Sequence, residues 1–320
     1  MKIGAFAVLL SQRPFEEALD YLQSIGIDTI EIGTGGYVGD AHCKPAELLA
    51  NPDRLQAFRR AIEARGFRIS ALSCHGNALH PQQDIAGRHH QQFHDTVLLA
   101  ERLGVDRVVT FSGCPGDQEG AKHPNWVTCP WPTDFTEIVR WQWEQKVIPY
   151  WREQAAFLRQ HGVRVAIEMH PGFVVYSAST MLRLREAAGE EIGANFDPSH
   201  LFWQGADPME VVRALGPAIL HVHAKDTAID PHNVRLDGVL DTTPYNDIPR
   251  RSWVFRTVGY GHGAEFWKAL VSALRLVGYD YVLSIEHEDG LMSVHEGLTK
   301  AAALLKEAVI GEPATSMWWA

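Results

Sequence analysis

The chain predicts a single (β/α)₈ TIM barrel, and three observations predict it. β-rich runs and amphipathic helical runs alternate strictly from end to end; there are eight of each; and helix after helix stops on a glycine just before the next strand. Such alternation implies parallel strands joined by right-handed crossovers, and eight units match a closed barrel. Periodicity alone does not separate a barrel from a doubly wound sheet. The nucleotide fingerprint usual in the latter, Gly-x-Gly-x-x-Gly after the first strand, is missing.

Taken in order, the expected strands are residues 3–8, 29–32, 69–73, 107–111, 164–169, 192–196, 220–224 and 281–285. The helical patterns between them are 15–24, 53–65, 86–103, 135–161, 178–188, 207–215, 264–277 and 293–308. Gly26, Gly66, Gly104, Gly162 and Gly278 each follow a helical run and suit the left-handed position that closes a helix. Two connections are long, 112–134 and 226–262. Long loops in compact domains are commonly functional, and both follow a strand, which places them on the barrel face where such enzymes do their chemistry. The expected organisation is therefore one barrel over residues 1–320 with these two loops flanking a pocket, and an apolar C-terminal tail containing Trp318 and Trp319 that docks on the barrel or on another subunit.

Hydrophobic residues make up 46% and charged residues 21% of the 320, enough for a large core. A formal net charge of −10 argues against a general binder of nucleic acid or of anionic membranes, which would carry a basic face. The N-terminus lacks the pattern of a signal peptide, and no apolar run approaches the roughly 18–20 residues of a membrane span. A cytoplasmic protein is expected, with Cys43, Cys74, Cys114 and Cys129 as free thiols. Cys114 and Cys129 share a loop, which leaves a local bridge as the alternative.

Sixteen histidines justify a search for metal ligands, and the strand ends supply them. Strand five ends Ile167-Glu168-Met169-His170-Pro171 and strand six Asn195-Phe196-Asp197-Pro198-Ser199-His200. Strand seven reads His221-Val222-His223-Ala224-Lys225-Asp226, and strand eight Ser284-Ile285-Glu286-His287-Glu288-Asp289. Four successive strands bring charge to one rim, and each charge costs desolvation unless it is paired. A bound cation would offset that cost; an ion-pair network without metal is the plainer alternative. Residues two apart on a strand share a face, so His170 accompanies Glu168, Glu288 accompanies Glu286, and His221, His223 and Lys225 lie together.

In this order these four motifs resemble the xylose isomerase-like barrel superfamily, which includes sugar isomerases, ketose 3-epimerases, inosose dehydratases and endonuclease IV. The resemblance spans nearly the whole chain. It implies one divalent metal held by Glu168, Asp197, His223 and Glu286, with Glu168 and Glu286 doubling as the acid–base pair beside a sugar carbonyl. Three carboxylates and an imidazole form a hard site, suited first to Mn²⁺, with Co²⁺, Mg²⁺ and Zn²⁺ as alternatives. The resemblance also implies that His200 contacts substrate or metal. Lys225 lies near the pocket, and His75, after strand three, is a further substrate-binding candidate beside a purely structural reading.

One departure matters. The superfamily's epimerases usually place proline directly after the strand-five glutamate, whereas here Met169 and His170 intervene. An inward His170 is either a group that orients Glu168 or a general base of its own. The latter resembles lyases of the superfamily that cleave 3-oxo-glycosides, C-glycosides included, by β-elimination. Trp126, Trp131, Trp141 and Trp143 can stack on a sugar ring or simply pack within an insertion or a subunit contact. A homo-oligomer, or assembly with another subunit, is expected. The competing readings are an endonuclease IV-like phosphodiesterase, which the net charge disfavours, and an inert sugar-binding subunit, which has little reason to keep the acidic residues.

Overall fold

The computed structural model describes residues 1–313, 315–317 and 319; Trp318, in the expected apolar tail, lies outside them. Eight parallel strands close a barrel: β1 (Lys2–Phe6), β2 (Thr29–Gly33), β3 (Arg68–Ser73), β4 (Arg107–Phe111), β5 (Arg164–Glu168), β6 (Ile192–Phe196), β7 (Ile219–Ala224) and β10 (Val282–Ile285). Each neighbours its predecessor, and β10 closes against β1 with Lys2 opposite Val282 and Ala5 opposite Ile285. The strands are Val-, Ile- and Leu-rich with few exposed positions, as expected where both faces are covered. Apolar helix faces pack outside them, with Leu19, Leu22, Phe93, Leu158, Trp267 and Leu298 in the continuous core.

All five expected helix-closing glycines take positive φ, between 65° and 86°. The first strand stops at Phe6 instead of running to residue 8, because Ala7–Leu10 tightens into a 3₁₀ turn. The long helix expected over 135–161 is a helical run from Thr133 to His161 whose middle, Gln142–Val147, widens into a π-helix. Pro149 sits two residues beyond that segment. It lacks an N–H and its ring crowds the carbonyl four residues back, and a π turn is one way a helix absorbs such a fault. A short helix at Pro45–Ala50 went unread between β2 and β3.

The largest difference lies in residues 226–262, where the sequence shows little helical pattern. The segment holds β8 (Asp226–Ile229) paired antiparallel with β9 (Trp253–Arg256), and between them the helix Pro231–Asp237. Asp230 caps that helix through the amides of His232 and Asn233, with Pro231 at its first position. Trp203 stacks flat on Trp253, 4.6 Å between centroids, and Phe255 and Trp126 complete the cluster that seats the hairpin on the barrel rim.

Asp226 locks the far end of the insertion. Its buried carboxylate accepts from the amides of Thr227, Gly259, Gly261 and His262 and from Nδ1–H of His262, all within 2.8–3.0 Å. Gly261 is required by closeness: a Cβ there would stand 2.3 Å from the Thr227 carbonyl oxygen. Substituting Asp226→Ala strands several buried donors, each worth about 1–3 kcal/mol. Urea unfolding should therefore show a loss of about 3 kcal/mol or more; a loss below about 1 kcal/mol would mean that the insertion is held by other contacts.

Candidate metal centre and the cavity above it

Glu168 is the last residue of β5, Asp197 follows β6 directly, His223 is the penultimate residue of β7 and Glu286 follows β10. The structure brings the four together: one ligand atom from each lies within 4.8 Å of the others. His223 Nδ1 is 3.3 Å from Glu168 Oε2 and 3.0 Å from Glu286 Oε2. Even so, His223 Nδ1, Glu286 Oε2 and Asp197 Oδ2 are buried without a hydrogen bond. Three orphaned polar atoms facing one another are costly. Bonds of about 2.1–2.3 Å to a shared ion would set neighbouring octahedral ligands about 3.0–3.3 Å apart, which is the spacing found. The carboxyl charges point the same way. Burial works against Glu168 and Glu286, but their neighbours outweigh it: contacts with His75 and His200 hold Glu168 well below the usual range, and Lys225 and His223 hold Glu286 at about 2. Asp197 is the exception, pushed up by burial that His200 and Lys225 do not offset. The residues present fit a divalent cation.

Behind His223 stands a carboxylate absent from the expected set. Glu31, in the middle of β2, is fully buried and lies 3.0 Å and 3.1 Å from His223 Nε2 through its two oxygens. Ser73 and Ser284 donate to it at 2.5 Å and 2.6 Å. A carboxylate accepts, so Nε2 carries the proton and Nδ1 is aimed at the cluster, the arrangement that fixes a metal-ligating imidazole. Burial opposes the charge on Glu31, but His223 and His221 outweigh it and hold the group at about 2. Asn195 adds a further brace: its Nδ2 donates to Glu168 Oε2 at 3.3 Å, and its Oδ1 accepts from His221 Nδ1 at 3.0 Å.

The three residues expected to meet substrate are engaged with these carboxylates. His75 Nε2 donates to Glu168 Oε2 at 2.8 Å. His200 Nε2 lies 3.3 Å from Glu168 Oε1 and 3.2 Å from Asp197 Oδ2. Lys225 Nζ lies 3.4 Å from Glu286 Oε1 and 2.5 Å from Glu288 Oε2, above the Phe255 ring. His170 is placed differently. Its Nδ1–H donates to the Pro171 carbonyl at 2.6 Å, leaving Nε2 as the ring's lone pair. Burial first, and then His200, push it down to about 3, so the ring is neutral.

A cavity of about 480 Å³ lies beside the cluster, with His170 and Glu288, each two residues beyond a converging glutamate, in its wall; the four converging residues themselves do not line it. Tyr245, Arg251 and Phe255 of the 226–262 insertion supply the opposite side, so that loop flanks the site as expected. The loop 112–134 sits on the same rim but does not line this cavity. Of the four tryptophans, Trp126 packs on the hairpin cluster, Trp143 is buried under Arg183, Trp141 meets Lys146 and Trp131 is exposed; none lines the cavity. All four cysteines are free thiols, Cys129 exposed and the others buried. Among the described residues no helix is long and apolar enough to cross a membrane.

The family model for the xylose isomerase-like TIM barrel matches residues 19–308. The uncharacterized protein YfiH of Bacillus subtilis (strain 168) is 37% identical over 313 residues, spanning 97% of this chain and 99% of its own. Among solved structures, a D-tagatose 3-epimerase-like protein superposes with a TM-score of 0.65 at 18% identity, covering 96% of this chain and 97% of that one. A xylose isomerase-like TIM barrel protein from Mycobacterium smegmatis in complex with magnesium gives 0.64 at 17% identity, covering 97% and 98%. At these identities the solved structures speak for the fold.

Glu31 offers a test of the cluster that leaves its four converging residues in place. Glu31→Gln should weaken Mn²⁺ binding about 10- to 100-fold, measured by competition with a chelator, while circular dichroism stays unchanged. Equal affinity in the two proteins would show that the Glu31–His223 contact orients no metal ligand.

Proposed function

This chain belongs to the xylose isomerase-like TIM barrel family, and on that premise we propose that it is a divalent-metal-dependent enzyme that removes a proton from the carbon beside a carbonyl of a sugar or keto-sugar. The observation that carries the reading is the convergence of buried, unpartnered His223 Nδ1, Asp197 Oδ2 and Glu286 Oε2. A divalent ion held there by Glu168, Asp197, His223 and Glu286 would polarise the substrate's carbonyl or hydroxyl. Mn²⁺ suits the donor set first, with Mg²⁺, Co²⁺ and Zn²⁺ as alternatives.

The chain's own groups divide the remaining work. Glu286 keeps 12% of its side chain accessible against 3% or less for the other three, so it is the carboxylate that substrate meets. Lys225 holds its Oε1 and stays charged beside it: burial opposes the ammonium, but Glu286 and Glu288 hold it well above the ordinary lysine range. Glu168 accepts from His75 and Asn195 and lies against His200, which leaves it poorly placed to exchange a proton as well. On the β5 side the free lone pair in the cavity wall belongs to His170. Proton removal beside a carbonyl then falls to Glu286 and His170, on opposite sides of the mouth, in place of the glutamate pair that the family resemblance implies.

Such a pair serves isomerisation or epimerisation, in which the proton returns to carbon. It also serves β-elimination, in which a substituent leaves the neighbouring carbon. His170, and a cavity that extends beyond the ion cluster along apolar side chains, favour the second outcome as an alternative, with a 3-oxo-glycoside as substrate.

A panel of free ketoses and 3-oxo-glycosides, run with anaerobic metal analysis, identifies the reacting class. On whichever substrate reacts, His170→Ala should lower exchange of the α-proton with solvent deuterium by about 10²–10⁴, with metal content unchanged. Full metal with exchange reduced only about 10- to 100-fold, the size of a group that merely orients a ligand, would return the role to Glu168.

A further inference from the structure

Three Lys or Arg side chains are buried among the described residues: Arg107, Lys225 and Arg251. Arg107 is paired with Asp106, and Lys225 with Glu286 and Glu288. Arg251, 2% exposed, makes no ion pair among the described residues. Its Nε donates to the Trp253 carbonyl at 3.0 Å and its Nη1 to that of Thr243. The Tyr245 and Trp253 rings lie against the guanidinium, with centroids 4.4 Å and 4.5 Å from Cζ. Nη2 has no hydrogen-bond partner among the described residues, and Arg251 lines the 480 Å³ cavity. Asp241 feels the charge at a distance, but its carboxylate is occupied by the amides of Thr243 and Ser252. A buried cation without a counter-charge is strongly disfavoured, and this one is held rigidly in the wall of the site by two carbonyls and two rings.

We propose that Arg251 binds an anionic group, a carboxylate or a phosphate ester, carried by the substrate. This rests on the reading of the cavity as the substrate site. A guanidinium is weakly hydrated and stacks on aromatic faces, which suits it to a half-apolar cavity, and its N–H fork matches both oxyanions. Tyr245 and Phe255 offer flat apolar surface beside it for a sugar ring, so the anion is the feature that orients the ring relative to His170 and Glu286.

Isothermal titration of the full-length, Mn²⁺-loaded protein with D-glucuronate, D-glucose 6-phosphate and D-glucose tests the proposal. At least one anionic probe should bind about tenfold tighter than glucose, and which one does so tells a carboxylate from a phosphate ester. Arg251→Met should bring that probe down to the level of glucose, and Arg251→Lys should retain part of the advantage. If Arg251→Met melts far below the parent, the Lys variant and the parent's own preference still decide. Equal binding of all three probes by the parent overturns the proposal, as does an advantage that survives in a folded Arg251→Met protein. The titrations are repeated without added Mn²⁺, so a chain that takes up no metal would sink the proposed function while the comparison of the three probes at Arg251 could still be made.

Discussion

The imidazole of His223 stands between two groups of carboxylates, Glu31 on its Nε2 side and Glu168 with Glu286 on its Nδ1 side. Burial disfavours the protonated ring, yet Glu31 and Glu286 together hold it well above the ordinary histidine range. That balance explains why the barrel mouth tolerates so much buried acid. Glu31, Glu168 and Glu286 each have partners that keep them charged, whereas Asp197 is pushed up by burial. Asp197 Oδ2, Glu286 Oε2 and His223 Nδ1 converge there, buried and without a hydrogen bond. A cation at that point satisfies all three at once, and removing any one partner leaves the remaining charges uncompensated in a poorly solvated place.

The cavity is built by a different device. The barrel alone would leave the cluster open to solvent, and the closed mouth comes from the insertion between β7 and β10. Its hairpin is seated through Trp203, Trp253 and Phe255, and its return to the barrel is tied by Asp226. Asp226 and Lys225 are adjacent, so one short stretch after β7 both anchors the insertion and sets the ammonium between Glu286 and Glu288.

What was legible in the sequence follows from locality. Strand periodicity, the closing glycines and charge at the strand ends are written in neighbouring residues, and they placed the barrel and its charged rim; the choice of Glu168, Asp197, His223 and Glu286 within that rim came from the family resemblance. Glu31 was legible too, as a carboxylate inside the apolar strand Thr29–Gly33, but its meaning depends on His223, nearly two hundred residues away in the chain and adjacent only once the barrel closes. The hairpin was not legible, since β8 and β9 are separated by a helix and a long turn, and each is only four residues long. Arg251 hides for the same reason: nothing around Pro249-Arg250-Arg251-Ser252 says that one arginine is exposed and the next is buried between two rings. The Trp-rich loop left two readings open, because aromatic content reads alike in a sugar platform and in a packed buttress.

The period of two along a strand does more than close the barrel; it divides the site into storeys. On β5, Glu168 is followed two residues later by His170; beyond β10, Glu286 is followed by Glu288; and on β7, His221 and His223 are followed by Lys225. In each series the earlier residue is turned into the carboxylate–imidazole cluster, while His170 and Glu288 line the cavity. Ser284, two before Glu286, reaches further down and donates to Glu31. One repeat thus stacks the carboxylate–imidazole cluster below the residues of the cavity wall, with His221 and Ser284 bracing the cluster from beneath. Two consecutive residues of a strand cannot both point inward, so the residue after Glu168 is necessarily spent on the core, as Met169 is. A histidine at position 170 is the first side chain after that glutamate that the strand can aim back into the mouth, and Pro171 holds its backbone extended there. The departure from the epimerase pattern is therefore a change in the cavity wall alone, with the carboxylate–imidazole cluster beneath it unchanged.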